Sequence, residues 1–182
     1  MAEEKVFFVT GCPGFIGKRI VRKLFKDDKD ISVYLLVESR FKEAGESFAR
    51  ELVDENDLDA RQVRVVVGDI TADDLGIRGE ELGEVRDRAE GVYHLAAIYD
   101  LAVPETMAEK VNVTGTKKVL DFCENLKKLK RLNYFSTCYV SGLRKGRILE
   151  EELDMGQGFK NHYEATKFRA EVEVRKRMGK IP

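Results

Sequence analysis

Tryptophan is absent from the 182 residues, and proline, cysteine and histidine occur only 3, 3 and 2 times. With so little proline and no low-complexity tract, the chain has no linker that would divide it, and residues 1–182 read as a single domain. The three cysteines, Cys12, Cys123 and Cys138, are an odd number without metal-ligand spacing, which argues against a disulfide framework or a zinc site. Each lies in an apolar stretch, where cysteine is expected to pack as a small hydrophobe. No apolar run is long enough to span a membrane. The first residues lead straight into a strand pattern without a signal-peptide profile, so a cytoplasmic location is expected. Excess charge of one sign is also missing: 32 Lys and Arg face 33 Asp and Glu, which gives no electrostatic reason to expect nucleic acid or an anionic membrane surface as partner.

What the chain does have is charge in quantity (36%) and enough apolar residues (43%) to build a core. The charged share exceeds the usual quarter, which suits either ion-pair networks or a well-solvated surface. Along the chain, short β-rich runs alternate with helical periodicity. Strands are expected at residues 6–10, 33–37, 63–67, 92–97 and 131–137. Helices are expected from the first turn to about residue 26, and at 43–55, 80–89, 105–126 and 161–178, with a Gly-rich, charged loop over 142–158. Continuous apolar strands separated by helices predict an α/β fold, a doubly wound parallel sheet of five strands in the order 3-2-1-4-5.

Between the first strand and the first helix stands Thr10-Gly11-Cys12-Pro13-Gly14-Phe15-Ile16-Gly17. Gly11 allows a tight turn, Gly14 lets a pyrophosphate approach the backbone, and Gly17 lets helix and strand pack closely. The free N–H groups of the helix N-terminus, at Phe15 and Ile16, then face the phosphates. In this setting the three glycines point to a dinucleotide site of the Rossmann type.

From this turn onward the chain resembles the extended short-chain dehydrogenase/reductase family, through almost its whole length. The resemblance rests on Thr10-Gly-x-x-Gly-x-x-Gly17, Gly68-Asp69-Ile70, His94-Leu95-Ala96-Ala97, Asn112-Val113-x-Gly115-Thr116, Ser136-Thr137 and Tyr163-x-x-x-Lys167, in that order. It implies that Asp69 and Ile70 line the adenine and that Leu95, Ala96 and Ala97 run along the nicotinamide side. It also implies that Thr137, Tyr163 and Lys167 are catalytic, with Tyr163 and Lys167 touching the cofactor as well. Counting back from Gly142 puts Thr137 rather than Ser136 in register. Several segments look most like bacterial fatty acyl-CoA and carrier-protein thioester reductases: residues 33–37, 94–101 and 155–158.

Tyr163 and Lys167 are four apart and so share a helix face. A free tyrosine ionises near pH 10, and a neighbouring ammonium favours the phenolate, so the pair suits proton transfer to or from a carbonyl oxygen. Thr137 would polarise that oxygen. The expected activity is therefore NAD(P)-dependent reduction of an acyl thioester or aldehyde, with acyl-CoA or a carrier-protein thioester as substrate. The alternatives are a sugar-nucleotide epimerase or dehydratase, which shares these motifs, and a non-catalytic NAD(P)-binding redox sensor.

For cofactor choice, the second strand ends at Val37 and is followed by Glu38, Ser39 and Arg40. Arg40 could reach a 2′-phosphate, which favours NADP(H), although Glu38 is the kind of acidic residue that NAD-binding proteins place there. His94, His162 and Asn112 read as structural, Tyr99 and Asp100 as either substrate-facing or ordinary loop, and Lys127–Lys130 with Arg131 as a solvated helix end. Residues 181–182 resemble the entry to the family's sixth strand. The C-terminal substrate-binding portion is accordingly expected to be missing, with an open strand edge and possible homodimer formation.

Overall fold

The computed structural model describes residues 4–182. Five strands form one parallel sheet: β1 (Lys5–Thr10), β2 (Ile31–Val37), β3 (Val63–Val67), β4 (Gly91–His94) and β5 (Arg131–Tyr134). They stand in the order β3-β2-β1-β4-β5, as the pattern predicts. All seven residues of β2 are buried, because a strand inside a parallel sheet has helices over both faces.

The period of two along each strand sorts the apolar residues into two cores. Val9, Ile31, Val33 and Leu35 point to one face, where α1 (Phe15–Asp27) brings Val21 and Phe25 and α2 (Lys42–Asn56) brings Phe48 and Leu52. Val6, Phe8, Tyr34, Leu36 and Val92 point to the other. There α3 (Gly79–Arg88) contributes Val85, and α5 (Thr116–Glu124) contributes Val119, Leu120, Phe122 and Cys123.

The long helix expected over 105–126 is interrupted. It consists of α4 (Glu105–Ala108), a π-helical turn (Glu109–Gly115) and α5, and it ends at Glu124. The basic run therefore lies beyond the helix and does not decorate its end. Lys130 instead pairs at 2.8 Å with Glu90, a buried carboxylate at the entry to β4. The last helix, α6 (His162–Lys176), is capped by the Asn161 side chain, which accepts the Glu164 N–H at 2.9 Å.

β4 and β5 are shorter than the runs expected for them. Past His94, Leu95 N–H still reaches the Thr10 carbonyl of β1, but Ala96 N–H turns to the Thr10 hydroxyl. After Tyr134, the Phe135 carbonyl is taken by Lys167. Cys138 corrects another expectation, since it is exposed, whereas Cys12 and Cys123 are buried with their thiols pushed up to about 12 by desolvation. Many surface charges join neighbouring elements, as where Arg22 of α1 pairs with Glu51 and Glu55 of α2. Beside β5, the Leu132 N–H donates to the Pro182 carbonyl at 2.8 Å, so the last residue lies against the sheet edge.

Phe8 is fully buried at the centre of one core, its ring 5.3 Å from that of Phe122. Phe8→Ala is expected to lower the unfolding free energy by about 3–5 kcal/mol. Urea denaturation of the two proteins checks this, and a loss below about 1 kcal/mol would mean that the core is not packed as described.

Candidate active site

Every residue singled out for cofactor or substrate lies at or beyond the carboxyl end of a strand or on α6. In an open α/β sheet, ligands bind at these ends where the strand order reverses, here between β1 and β4.

The turn after β1 is wound around one carbonyl. Gly11 has φ +83°, and a Cβ there would fall 2.7 Å from the backbone of Leu95 and Ala96. A Cβ on Gly17 would fall 2.8 Å from the Gly11 oxygen. Only glycine satisfies either position, so strand, turn and helix close up as a phosphate site requires. The first N–H groups of α1 have no intrahelical acceptor. Gly14 supplies no side chain to cap them, and the first turn carries no acidic residue. Phe15 and Ile16, at 72% and 54% exposure, leave this positive helix end open. A dinucleotide's pyrophosphate fits this turn.

Around it stand the other expected groups. Asp69 is exposed beyond β3, its carboxylate accepting the Thr71 N–H at 2.8 Å, and Ile70 is buried beside it. Leu95, Ala96 and Ala97 follow β4, half-buried. Arg40 lies beyond β2 and forms an ion pair with Glu38, Nε to Oε2 at 2.9 Å, while stacking on Phe41. The pair occupies the Nε and Nη2 side of the guanidinium and leaves Nη1 for another acceptor. Tyr99 is almost fully exposed.

On α6, Tyr163 is half-buried and Lys167 only 4% exposed. The Lys167 ammonium donates to Tyr134 Oη at 3.0 Å and to the Phe135 carbonyl at 2.8 Å. Burial pushes its pKa down to about 8, and Glu171, one turn further along α6, opposes the fall. The Ser136 hydroxyl donates to Glu171. The Thr137 hydroxyl accepts the Tyr139 N–H at 3.3 Å, which leaves its own hydrogen for a substrate oxygen. Tyr139 in turn meets the Tyr163 ring edge-on, centroids 6.4 Å apart.

Behind these groups runs a buried polar network that the motifs do not disclose. Thr116 gives its only hydroxyl hydrogen to the Asn112 carbonyl at 2.7 Å. His94 Nε2, 3.1 Å from Thr116 Oγ1, must then be the donor. His94 Nδ1 is left bare and accepts from Thr10 at 2.8 Å, while Thr10 accepts from Ala96 N–H. Asn112 clamps the loop after β4, accepting from Ile98 N and donating to Ile98 O, and it also donates to Thr166 of α6. Sequence reasoning treated His94 and Asn112 as structural, gave Thr10 and Thr116 no role outside their motifs, and passed over Tyr134 and Glu171. The available signal was a phenol at the end of a strand, two residues before the Ser136-Thr137 motif. Among the described residues no His, Cys, Asp or Glu group is arranged to hold a metal ion.

Fold and site together define a dinucleotide-binding domain of the extended short-chain dehydrogenase/reductase type. Residues 9–182 match the NAD-binding family described as "Male sterility protein", and the chain belongs to that family. Its relatives include the alcohol-forming fatty acyl-CoA reductase of Simmondsia chinensis, 33% identical over 172 residues, covering 85% of this chain and 35% of that protein. Another is fatty acyl-CoA reductase 2, chloroplastic, of Arabidopsis thaliana, 27% identical over 170 residues, covering 85% of this chain and 28% of that one. The chain thus spans about a third of the length of these relatives. Among solved structures, the terminal R domain of the myxalamid PKS-NRPS pathway superposes with a TM-score of 0.77 at 24% identity, covering 97% of this chain and 46% of that one, which establishes the fold.

His94 is fully buried, and desolvation, aided by the Lys167 charge, pushes its pKa down to about 3. The unfolded chain takes up this proton near pH 6.5. His94 therefore leaves stability intact above that pH and erodes it as pH falls toward 3. His94→Gln removes the titration, so between pH 6 and 4 the variant should lose stability less steeply by about 1 kcal/mol per pH unit. Urea unfolding across that range measures the slopes, and equal slopes would exclude a neutral buried His94.

Proposed function

We propose that this chain is the cofactor-binding and catalytic part of an NAD(P)-dependent reductase acting on an acyl thioester or the derived aldehyde. The carrying observation is the α6 pair: Tyr163 one turn from a buried ammonium that is anchored to the end of β5. The names of the relatives support the thioester substrate class, acyl-CoA or a carrier-protein thioester. The epimerase reading shares the fold, as the UDP-glucuronic acid 4-epimerase of Bacillus cereus does with a TM-score of 0.70 at 21% identity, but the curated relatives do not favour it.

When bound, the dinucleotide supplies the hydride. Thr137 donates a hydrogen bond to the carbonyl oxygen and polarises it. Tyr163 gives that oxygen its phenolic proton as negative charge develops there. Lys167, charged and fixed, stabilises the phenolate that Tyr163 becomes and offers its remaining N–H to a ribose hydroxyl. For a thioester, collapse of the protonated adduct releases the thiol and leaves the aldehyde. The three free thiols fit a reducing compartment, and we place the protein in the cytoplasm. The surface of α4, α5 and α6 is the proposed face for a homodimer.

In the enzyme containing this chain, Tyr163→Phe should keep NADPH binding within about twofold while lowering kcat by about 10² or more. Lys167→Ala should damage both. Steady-state kinetics with an acyl-CoA and NADPH, beside fluorescence titration of the nucleotide, decide the matter. Wild-type turnover in the Phe variant would remove Tyr163 from the mechanism.

For the cofactor, Arg40 with its free Nη1 edge favours NADP(H) over NAD(H). Glu38→Gln should tighten NADPH further, because it releases the guanidinium and removes a charge that repels the 2′-phosphate. Parallel titrations with NADPH and NADH are the measurement, and tighter NADH binding by the parent would overturn the assignment.

A further inference from the structure

The proposed function assigns Lys167 its work but leaves open what holds a charged amine in place at 4% exposure. An ammonium has three donors. One goes to the Phe135 carbonyl, a main-chain acceptor that any sequence would provide. The second goes to the Tyr134 hydroxyl, which is a choice of side chain. The third is left to point away from both.

We infer that Tyr134 is a positioning residue for Lys167: its phenolic oxygen accepts from the ammonium and fixes it so that its third N–H faces the cofactor side. The inference rests on the reductase reading of Tyr163 and Lys167. The support is geometric. An ammonium has donors and no acceptor, so the phenolic oxygen accepts from Lys167, at 3.0 Å. The ring is held too, 5.7 Å from His94, with Lys167 Nζ 4.6 Å from its centroid, a second attraction for the cation. Burial and the nearby Glu171 raise the phenol's pKa, so Tyr134 stays a neutral acceptor throughout the range in which Lys167 titrates.

The titratable and charged groups around Lys167 are few. Its own helix supplies Tyr163 and Glu171, the latter tied to Arg175 at 2.6 Å. β5 supplies Tyr134, and β4 supplies His94, which stays neutral. The packed helix and its π turn present Glu109 and Lys117, paired outward with Arg169 and Glu173. Glu171 and Tyr134 therefore face the ammonium from opposite sides of the question: one by charge, the other by a directed bond.

The test is Tyr134→Phe, which keeps the ring. Nitrogen-15-labelled lysine NMR follows the Lys167 ammonium, assigned by its disappearance in Lys167→Arg, and nucleotide fluorescence follows NADPH affinity across pH. With the phenolic acceptor gone, the charged form is less favoured. The Lys167 midpoint should fall by about one pH unit or more, and NADPH affinity at pH 7.5 should weaken by about tenfold. Tyr134→Gln, which keeps a side-chain acceptor without the ring, should shift the midpoint in the same direction by less, and it serves if the Phe variant does not fold. A folded Phe variant with unchanged midpoint and affinity, beside a Lys167→Ala variant that no longer binds NADPH, would overturn the role of Tyr134 alone. Unchanged NADPH affinity in Lys167→Ala would instead overturn the reading of the site.

Discussion

A buried cation is the most demanding requirement in this structure, and much of the local architecture answers it. Desolvating an ammonium costs far more than desolvating an apolar side chain, unless its donors find acceptors. Lys167 finds the carbonyl of Phe135, just beyond β5, and a phenol from that strand. For this α6 must lie across the end of β5, and Asn112 binds both Thr166 and the loop after β4. The π turn and the packing of α6 thus serve one electrostatic need. They also bring together the ends of β1, β4 and β5, where a dinucleotide would sit.

The sequence disclosed most of the fold, because parallel strands announce themselves. Residues 31–37 are apolar almost without break since both faces are covered, and α1 shows its buried stripe at Gly17, Val21 and Phe25. Strand ends were less legible. Leu95 to Ala97 are apolar and extend the β4 pattern, but hydrophobicity cannot tell that Thr10 captures the next two N–H groups. The π turn was hidden for a similar reason. One residue too many per turn changes the phase of the periodicity without changing its composition, so 105–124 scans as a single helix.

Site residues divide along the same line. The glycines, Tyr163 and Lys167 carry spacing, and spacing survives in a linear text. Tyr134 and Glu171 carry only proximity, which arises when strands 1, 4 and 5 lie side by side and α6 packs over them. Charge gave the opposite lesson. The basic run near residue 130 is solvated as read, but it lies beyond the helix, and its Lys130 also pairs with a buried Glu90, because a carboxylate at a strand entry needs a cation wherever the chain can furnish one.

The fixed direction of the hydroxyl chain behind Lys167 has a consequence for proton traffic. A row of hydroxyls conducts protons only if the whole row can reverse and if its far end can release a proton. This row ends on the Asn112 carbonyl, which has none to release, and its branch runs through a histidine that stays neutral until about pH 3 and on to Thr10. It therefore insulates rather than conducts. In the proposed mechanism, a phenol that has spent its proton would not be recharged through this row, so reprotonation of Tyr163 would come from the open side of the cleft, where water and substrate arrive together.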